Sequence, residues 1–238
     1  MSKPLFRFKQ FQVHHDKCAM KVGTDAVLLG ALAGNKDEYS DILEIGLGSG
    51  VVSLMLAQRF ENAKIEGVEI DQDAFDQASQ NAMDSPWAQR LNFKLSDFRM
   101  YYKSENRKFD LIVSNPPYFS DHLKSSNAKK NTALHTDSLP FHDLLEGVDK
   151  LLSSEGEFWL ILPKYEADIF RGIAIKKDFF NHKLIEIKDN KDKNVLRNIL
   201  SFSKYKKEIL CNQVLIKDLR GDYTNEYKNI LRDFLIIF

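Results

Sequence analysis

Hydrophobic residues in this chain fall into short blocks divided by polar punctuation, and the period inside the blocks alternates. Asp41–Ile45, Lys64–Glu69, Asn92–Leu95, Asp110–Ser114 and Glu157–Leu162 are too short for helices and are followed within two residues by Gly, Asp, Ser, Asn or Pro, so they predict strands. Val51–Phe60, Asp73–Met83, Leu139–Leu152 and Tyr165–Ile175 repeat their apolar positions three and four apart and predict helices between those strands. Strand alternating with helix is the signature of an α/β fold whose parallel sheet is covered on both faces. After Ile175 the order changes. Lys183–Lys188, Leu196–Ser203 and Glu208–Lys217 read as strands joined by basic loops with no helix between them, hence antiparallel, and a closing helix covers Thr224–Phe234.

Two stretches lie outside this alternation. Residues 6–21 interleave aromatic and basic side chains and read as a short strand or hairpin, after which Gly23-Thr24-Asp25 turns into a helix over Ala26–Leu32. Thr24 has the chemistry of an N-cap and Asp25 that of a first-turn acid, and Asp25 is also placed to face a cofactor. Residues 119–137 are rich in Ser, Asn, Lys and His with no hydrophobic period, which reads as a mobile lid or disorder beginning inside a site. Without a repeat or a low-complexity linker, one domain over 1–238 is the economical count, with 1–25 as a substrate-side extension and 26–238 as the core.

The chemistry concentrates at strand ends. The strand over Asp41–Ile45 runs into Gly46-Leu47-Gly48-Ser49-Gly50 and then a helix, the arrangement in which backbone amides approach a ligand at a helix N-terminus. The spacing G-x-G-x-G, with Glu44 before it, suits a ligand bearing an ammonium group better than a dinucleotide pyrophosphate. Glu69 ends the next strand, where such folds hold ribose hydroxyls, and Asp97 follows the third, where an acceptor could take the amine of an adenine. Singly, each acid is more often a cap or a solvated charge; three at successive strand ends point to a ligand.

The fourth strand stops on Asn115-Pro116-Pro117-Tyr118. Consecutive prolines remove two donors and fix φ twice, so this corner is stiff. The Asn115 amide oxygen and the Pro116 carbonyl can then point together at an exocyclic amine, with the Tyr118 ring placed to stack on the base. An ordinary strand-ending turn accounts for Asn-Pro but gives no reason for the aromatic residue.

Composition and charge refine this. With 34 Lys and Arg against 34 Asp and Glu the formal charge is zero, which by itself argues against a nucleic-acid partner. The distribution says otherwise: five bases face twelve acids between Lys36 and Asp97, whereas thirteen face six between Arg171 and Arg220. Further bases cluster before the corner (Lys3, Arg7, Lys9, Lys17, Lys21) and after it (Lys124, Lys129, Lys130), as a polyanion carrying a base would require. The two cysteines, Cys18 and Cys211, are far apart, and His14, His15 and Cys18 lack a fourth ligand, so neither a disulfide nor a metal is expected. The chain has no apolar run long enough for a membrane and a start too polar for a signal peptide, so a cytoplasmic protein is expected.

With Glu44 to Gly50, Glu69, Asp97 and Asn115 to Tyr118 in this order, the chain resembles the S-adenosylmethionine-dependent N-methyltransferases of the Rossmann-like class. Residues 8–25, Ser85-Pro86-Trp87-Ala88 and Tyr223-Thr224-Asn225-Glu226-Tyr227 narrow the likeness to the bacterial tRNA1(Val) (adenine(37)-N(6))-methyltransferase family. The resemblance implies a Rossmann-like, mostly parallel seven-stranded sheet with an antiparallel C-terminal hairpin and helices on both faces. It implies that Glu44, Gly46, Gly48, Gly50, Glu69, Asp97 and Asp25 contact S-adenosylmethionine, and that Asn115, Pro116 and Tyr118 act on the target amine. Pro117, Phe119, Lys124, Lys129, Lys130 and Arg197 become candidate contacts to a valine tRNA, in a monomer that needs no metal. Another nucleic-acid adenine or guanine, or a protein glutamine, could use the same acceptors, and a non-catalytic RNA-binding module is a reading from a different class.

Overall fold

In the computed structural model, which describes residues 5–117 and 139–238, the chain opens with a small antiparallel hairpin, β1 (Leu5–Arg7) and β2 (Gln12–His14). The main run follows as α1 (Thr24–Leu32), β3 (Asp41–Ile45), α2 (Val51–Arg59), β4 (Lys64–Glu69), α3 (Gln72–Met83), β5 (Leu91–Leu95), α4 (Phe98–Ser104) and β6 (Phe109–Ser114). Past residue 138 come α5 (Phe141–Leu151), β7 (Leu152–Leu162), α6 (Lys164–Ile175), β8 (Phe180–Lys188), β9 (Val195–Ser203), β10 (Leu210–Leu215) and α7 (Asn225–Leu231). The expected lid over 119–137 lies outside the described residues.

The main sheet has the order β10-β8-β9-β7-β6-β3-β4-β5. Period-2 alternation sends successive residues of one strand into two separate cores. On β7, Trp159 and Ile161 join Leu28, Leu54 and Met55 beneath α1 and α2, while Phe158 and Leu160 join Leu145 and Phe170 beneath α5 and α6. Burial on both faces explains the unbroken apolar run Phe158–Leu162, each large side chain contributing on the order of 1.5–3 kcal/mol. The hairpin is stapled to the end of the chain: Phe8 bridges to Leu235, the Lys9 N–H donates to the Phe234 carbonyl, and Phe8 stacks on Phe11, which meets Trp87 edge-on.

The mixed α/β class and the antiparallel β8–β9 hairpin are as expected, but the sheet has eight strands and the last one runs the other way from expectation. β10 pairs parallel to β8, with Leu210 opposite Lys183. The cause is geometric. β9 brings the chain back to where β8 began, with Ser203 opposite Phe180, and residues 204–209 step over the start of β8. That step is two strand spacings, about 10 Å, so no helical crossover is needed. The reversal of β9 also puts residues 189–194 at the carboxyl edge of the parallel strands and residues 204–209 at the opposite edge.

Two further departures sit near the ligand edge. Phe98–Ser104 forms a helix that the strand reading passed over; it is capped by Asp97 and buries Phe98, Tyr101 and Tyr102 on one face. Thr24 is the first residue of α1, whose N-cap is Gly23 with no side-chain cap bond. Thr24 as N-cap is therefore corrected; a side chain already inside the helix is past the position from which it caps.

Candidate active site

Strand order reverses between β3 and β6, and the crevice beyond the carboxyl ends of such strands is where open α/β sheets bind ligands. A cavity of about 490 Å³ lies there, within the range of small-ligand sites. Its floor is the glycine turn. Gly46 and Gly48 hold φ of 79° and 52° with only open space where a Cβ would sit, so backbone conformation rather than crowding demands glycine. Gly67 on β4 is required for the other reason, since a Cβ there would lie 2.2 Å from the Leu47 side chain. The turn seats against β4 only because that side chain is missing.

The acids take distinct environments. The Glu69 carboxylate accepts from the Gly48 N–H at 2.9 Å on one oxygen, and from Ile70 and Asp71 N–H at 2.9 and 3.0 Å on the other. It is locked in place while lining the cavity. Glu44, 1% exposed, accepts from the Ser53 backbone N–H at 2.8 Å and from the Ser53 hydroxyl. Burial outweighs those bonds and pushes its carboxyl up to about 8. Asp97 lines the cavity as expected, yet it also caps α4 through the Arg99 N–H at 2.8 Å and pairs with the Arg99 guanidinium, which holds its carboxyl below the usual range.

At the end of β6, Asn115, Pro116 and Pro117 line the same cavity as the glycine turn. The two strand ends are pinned together: Ile45 sits opposite Ser114, and the Ser114 hydroxyl donates to the Ile45 carbonyl at 2.9 Å. Pro116 is buried and Pro117 exposed. Tyr118, Phe119, Lys124, Lys129 and Lys130 lie outside the described residues. Asp25 and Arg197, assigned separately to cofactor and substrate, are instead brought to each other at 2.7 Å, and neither lines the cavity.

Sequence reasoning missed one whole wall. Residues 17–21 line the cavity, with Cys18 buried and its thiol pushed up to about 11 by desolvation. Lys17 is tied to α3 through Gln77, and the chain just before the segment, at His14, through Asn81. The available signal was a pair of amides four apart on the buried alanine face of that helix, where apolar residues cost less. Among the described residues no helix is long and apolar enough to cross a membrane.

Comparison with known proteins shows the family to which the chain belongs. The family described as methyltransferase small domain matches residues 18–190. A tRNA1(Val) (adenine(37)-N6)-methyltransferase of Bacteroides fragilis is 42% identical over 99% of both chains. The protein of the same description from Photorhabdus laumondii is 39% identical, over 98% of this chain and 96% of its own. Among solved structures, a predicted O-methyltransferase from Agrobacterium tumefaciens superposes with a TM-score of 0.69 at 15% identity, covering 88% of this chain and 96% of that one, which speaks for the fold alone.

Proposed function

Because the chain belongs to the tRNA1(Val) (adenine(37)-N6)-methyltransferases, within the methyltransferase small domain family, we propose that it methylates the N6 amine of adenosine-37 in a valine tRNA, in the cytoplasm, using S-adenosylmethionine. The observation that carries this reading is that the glycine turn and the Asn115-Pro116 corner, on adjacent strands, line one cavity. Methyl donor and target amine can meet only in such a place.

The residues present fit that donor: the glycine turn is open backbone, Glu69 is a fixed acceptor for ribose hydroxyls, Asp97 lines the cavity as an acid that would accept from an adenine amine, and Glu44 is a buried acid suited to an ammonium. When bound, S-adenosylmethionine supplies an electrophilic methyl on a sulfonium. The chain prepares the nucleophile. An adenine amine is delocalised into its ring, and acceptance of its two hydrogens by the Asn115 oxygen and the Pro116 carbonyl favours the localised, tetrahedral nitrogen of the transition state. Its proton becomes acidic only as the methyl arrives, so it leaves late, to solvent, without a strong base. Extruding the base costs a few kcal/mol, part of which stacking on Tyr118 returns.

The direct test is incubation with labelled methyl donor and total tRNA, followed by mapping of the labelled nucleoside. N6-methyladenosine at position 37 of valine tRNA is expected; label appearing only in protein glutamine, or at another nucleoside, would replace this substrate.

Glu44 adds a pH dependence. In the free protein its carboxyl holds a proton below about 8, and seating an ammonium beside it requires that proton to leave. Affinity for S-adenosylmethionine should therefore rise with pH, by up to about tenfold per unit as the carboxyl ionises, and peak near its pKa, where the donor's own α-ammonium begins to lose its proton. Calorimetric titration across this range checks it, with 5′-methylthioadenosine, which lacks the ammonium, expected to show no such slope.

A further inference from the structure

The cavity wall over residues 17–21 has no regular secondary structure, and the way it is held is specific. Asn81, 1% exposed, accepts from the His14 N–H at 2.9 Å and donates to the carbonyls of His14 at 2.8 Å and of Ser49 at 2.9 Å, so it ties the incoming chain to the glycine turn. One helical turn earlier, Gln77, 5% exposed, accepts on a single oxygen from the Lys17 N–H at 3.0 Å and the Cys18 S–H at 3.1 Å, and donates to Asp16 at 2.8 Å. The bonds of Gln77 all run to residues 16–18, at the start of that wall. A buried amide whose partners lie entirely on one irregular segment fixes that segment more than it fixes its own helix. Further along, the Val22 N–H donates to the His15 ring at 3.0 Å.

We propose that Gln77 is a positioning residue for methyl-donor binding: it holds residues 16–18 against α3 so that residues 17–21 close over the bound donor and slow its escape. This rests on the reading of the cavity as the donor site. Gln77 touches no reacting atom, so its loss acts on donor affinity and leaves the methyl-transfer step alone.

In the full-length protein, Gln77→Ala is expected to raise the Kd and KM for S-adenosylmethionine about tenfold, chiefly through faster dissociation, with kcat at saturating donor unchanged within threefold. Hydrogen exchange at the Lys17 amide should accelerate by a similar factor. A second pair of variants applies should the alanine form fail to fold. Gln77→Glu sets a carboxylate against Asp16 and should weaken binding; adding Asp16→Asn inverts the polarity of that bond and should restore affinity to within threefold of wild type. Unchanged donor affinity, a fall in kcat at constant KM, or no rescue by the double variant would overturn the proposal alone. Absence of donor binding by the wild type would overturn the reading of the cavity with it.

Discussion

Asn115→Ala is expected to lower kcat for methyl transfer to tRNA by about 10²–10³ while S-adenosylmethionine affinity changes less than threefold. The side-chain oxygen is one of two acceptors proposed to meet the amine, and its contribution grows as the nitrogen loses conjugation with the ring. Its removal therefore raises the barrier more than it weakens binding. The Ser114–Ile45 bond and the prolines stay in place, so the corner keeps its shape. Asn115→Asp retains an acceptor and should keep more activity than the alanine form. Single-turnover rates with saturating tRNA, beside a donor titration, decide the matter. Near-wild-type turnover in Asn115→Ala would remove the residue from the mechanism.

Glu69→Ala should have the second largest effect, on donor binding. One carboxylate accepts three backbone N–H groups and lines the cavity. Truncation loses the proposed ribose contact and leaves the Gly48 N–H without its partner, loosening the turn beneath the donor. A donor Kd raised about 10²-fold is expected, together with only about 1 kcal/mol of lost stability, because water can reach the freed, part-buried N–H groups. Glu69→Gln keeps one acceptor and should fall between. Calorimetry and thermal melts separate the two effects; unchanged affinity with lowered stability would make Glu69 a structural clasp only.

How far the sequence disclosed this arrangement depended on how local each cause is. Strand Asp41–Ile45 was legible to the residue because its mostly apolar run stops at Gly46, and Lys64–Glu69 because Ile65 and Val68 sit in a short stretch that follows the α2 helix and ends near Asp71. The chemistry at their ends followed, since a glycine turn and a proline corner are backbone statements. What stayed hidden depended on distant chain. Asp25 could not be known to face Arg197, 172 residues away. The Asp97–Arg99 pair is local, two residues apart, but it belongs to helix α4, which was overlooked because its seven residues make less than two full turns. The wall over residues 17–21 was invisible for the same reason as the Asp25 pairing, although the polar pair Gln77 and Asn81 on a buried helix face signalled that something irregular must pack there.

The backward course of β9 has an electrostatic consequence. Its nine residues separate the tip carrying Lys191 and Lys193 from the loop carrying Lys204, Lys206 and Lys207 by about 30 Å. That is several Debye lengths at physiological ionic strength, where the length is about 8 Å. A polyanion draped across the cavity mouth thus displaces counterions from the first cluster only, and the second acts as distant background. The tally of bases in one stretch of chain overstates the charge that any single strand of phosphates can feel.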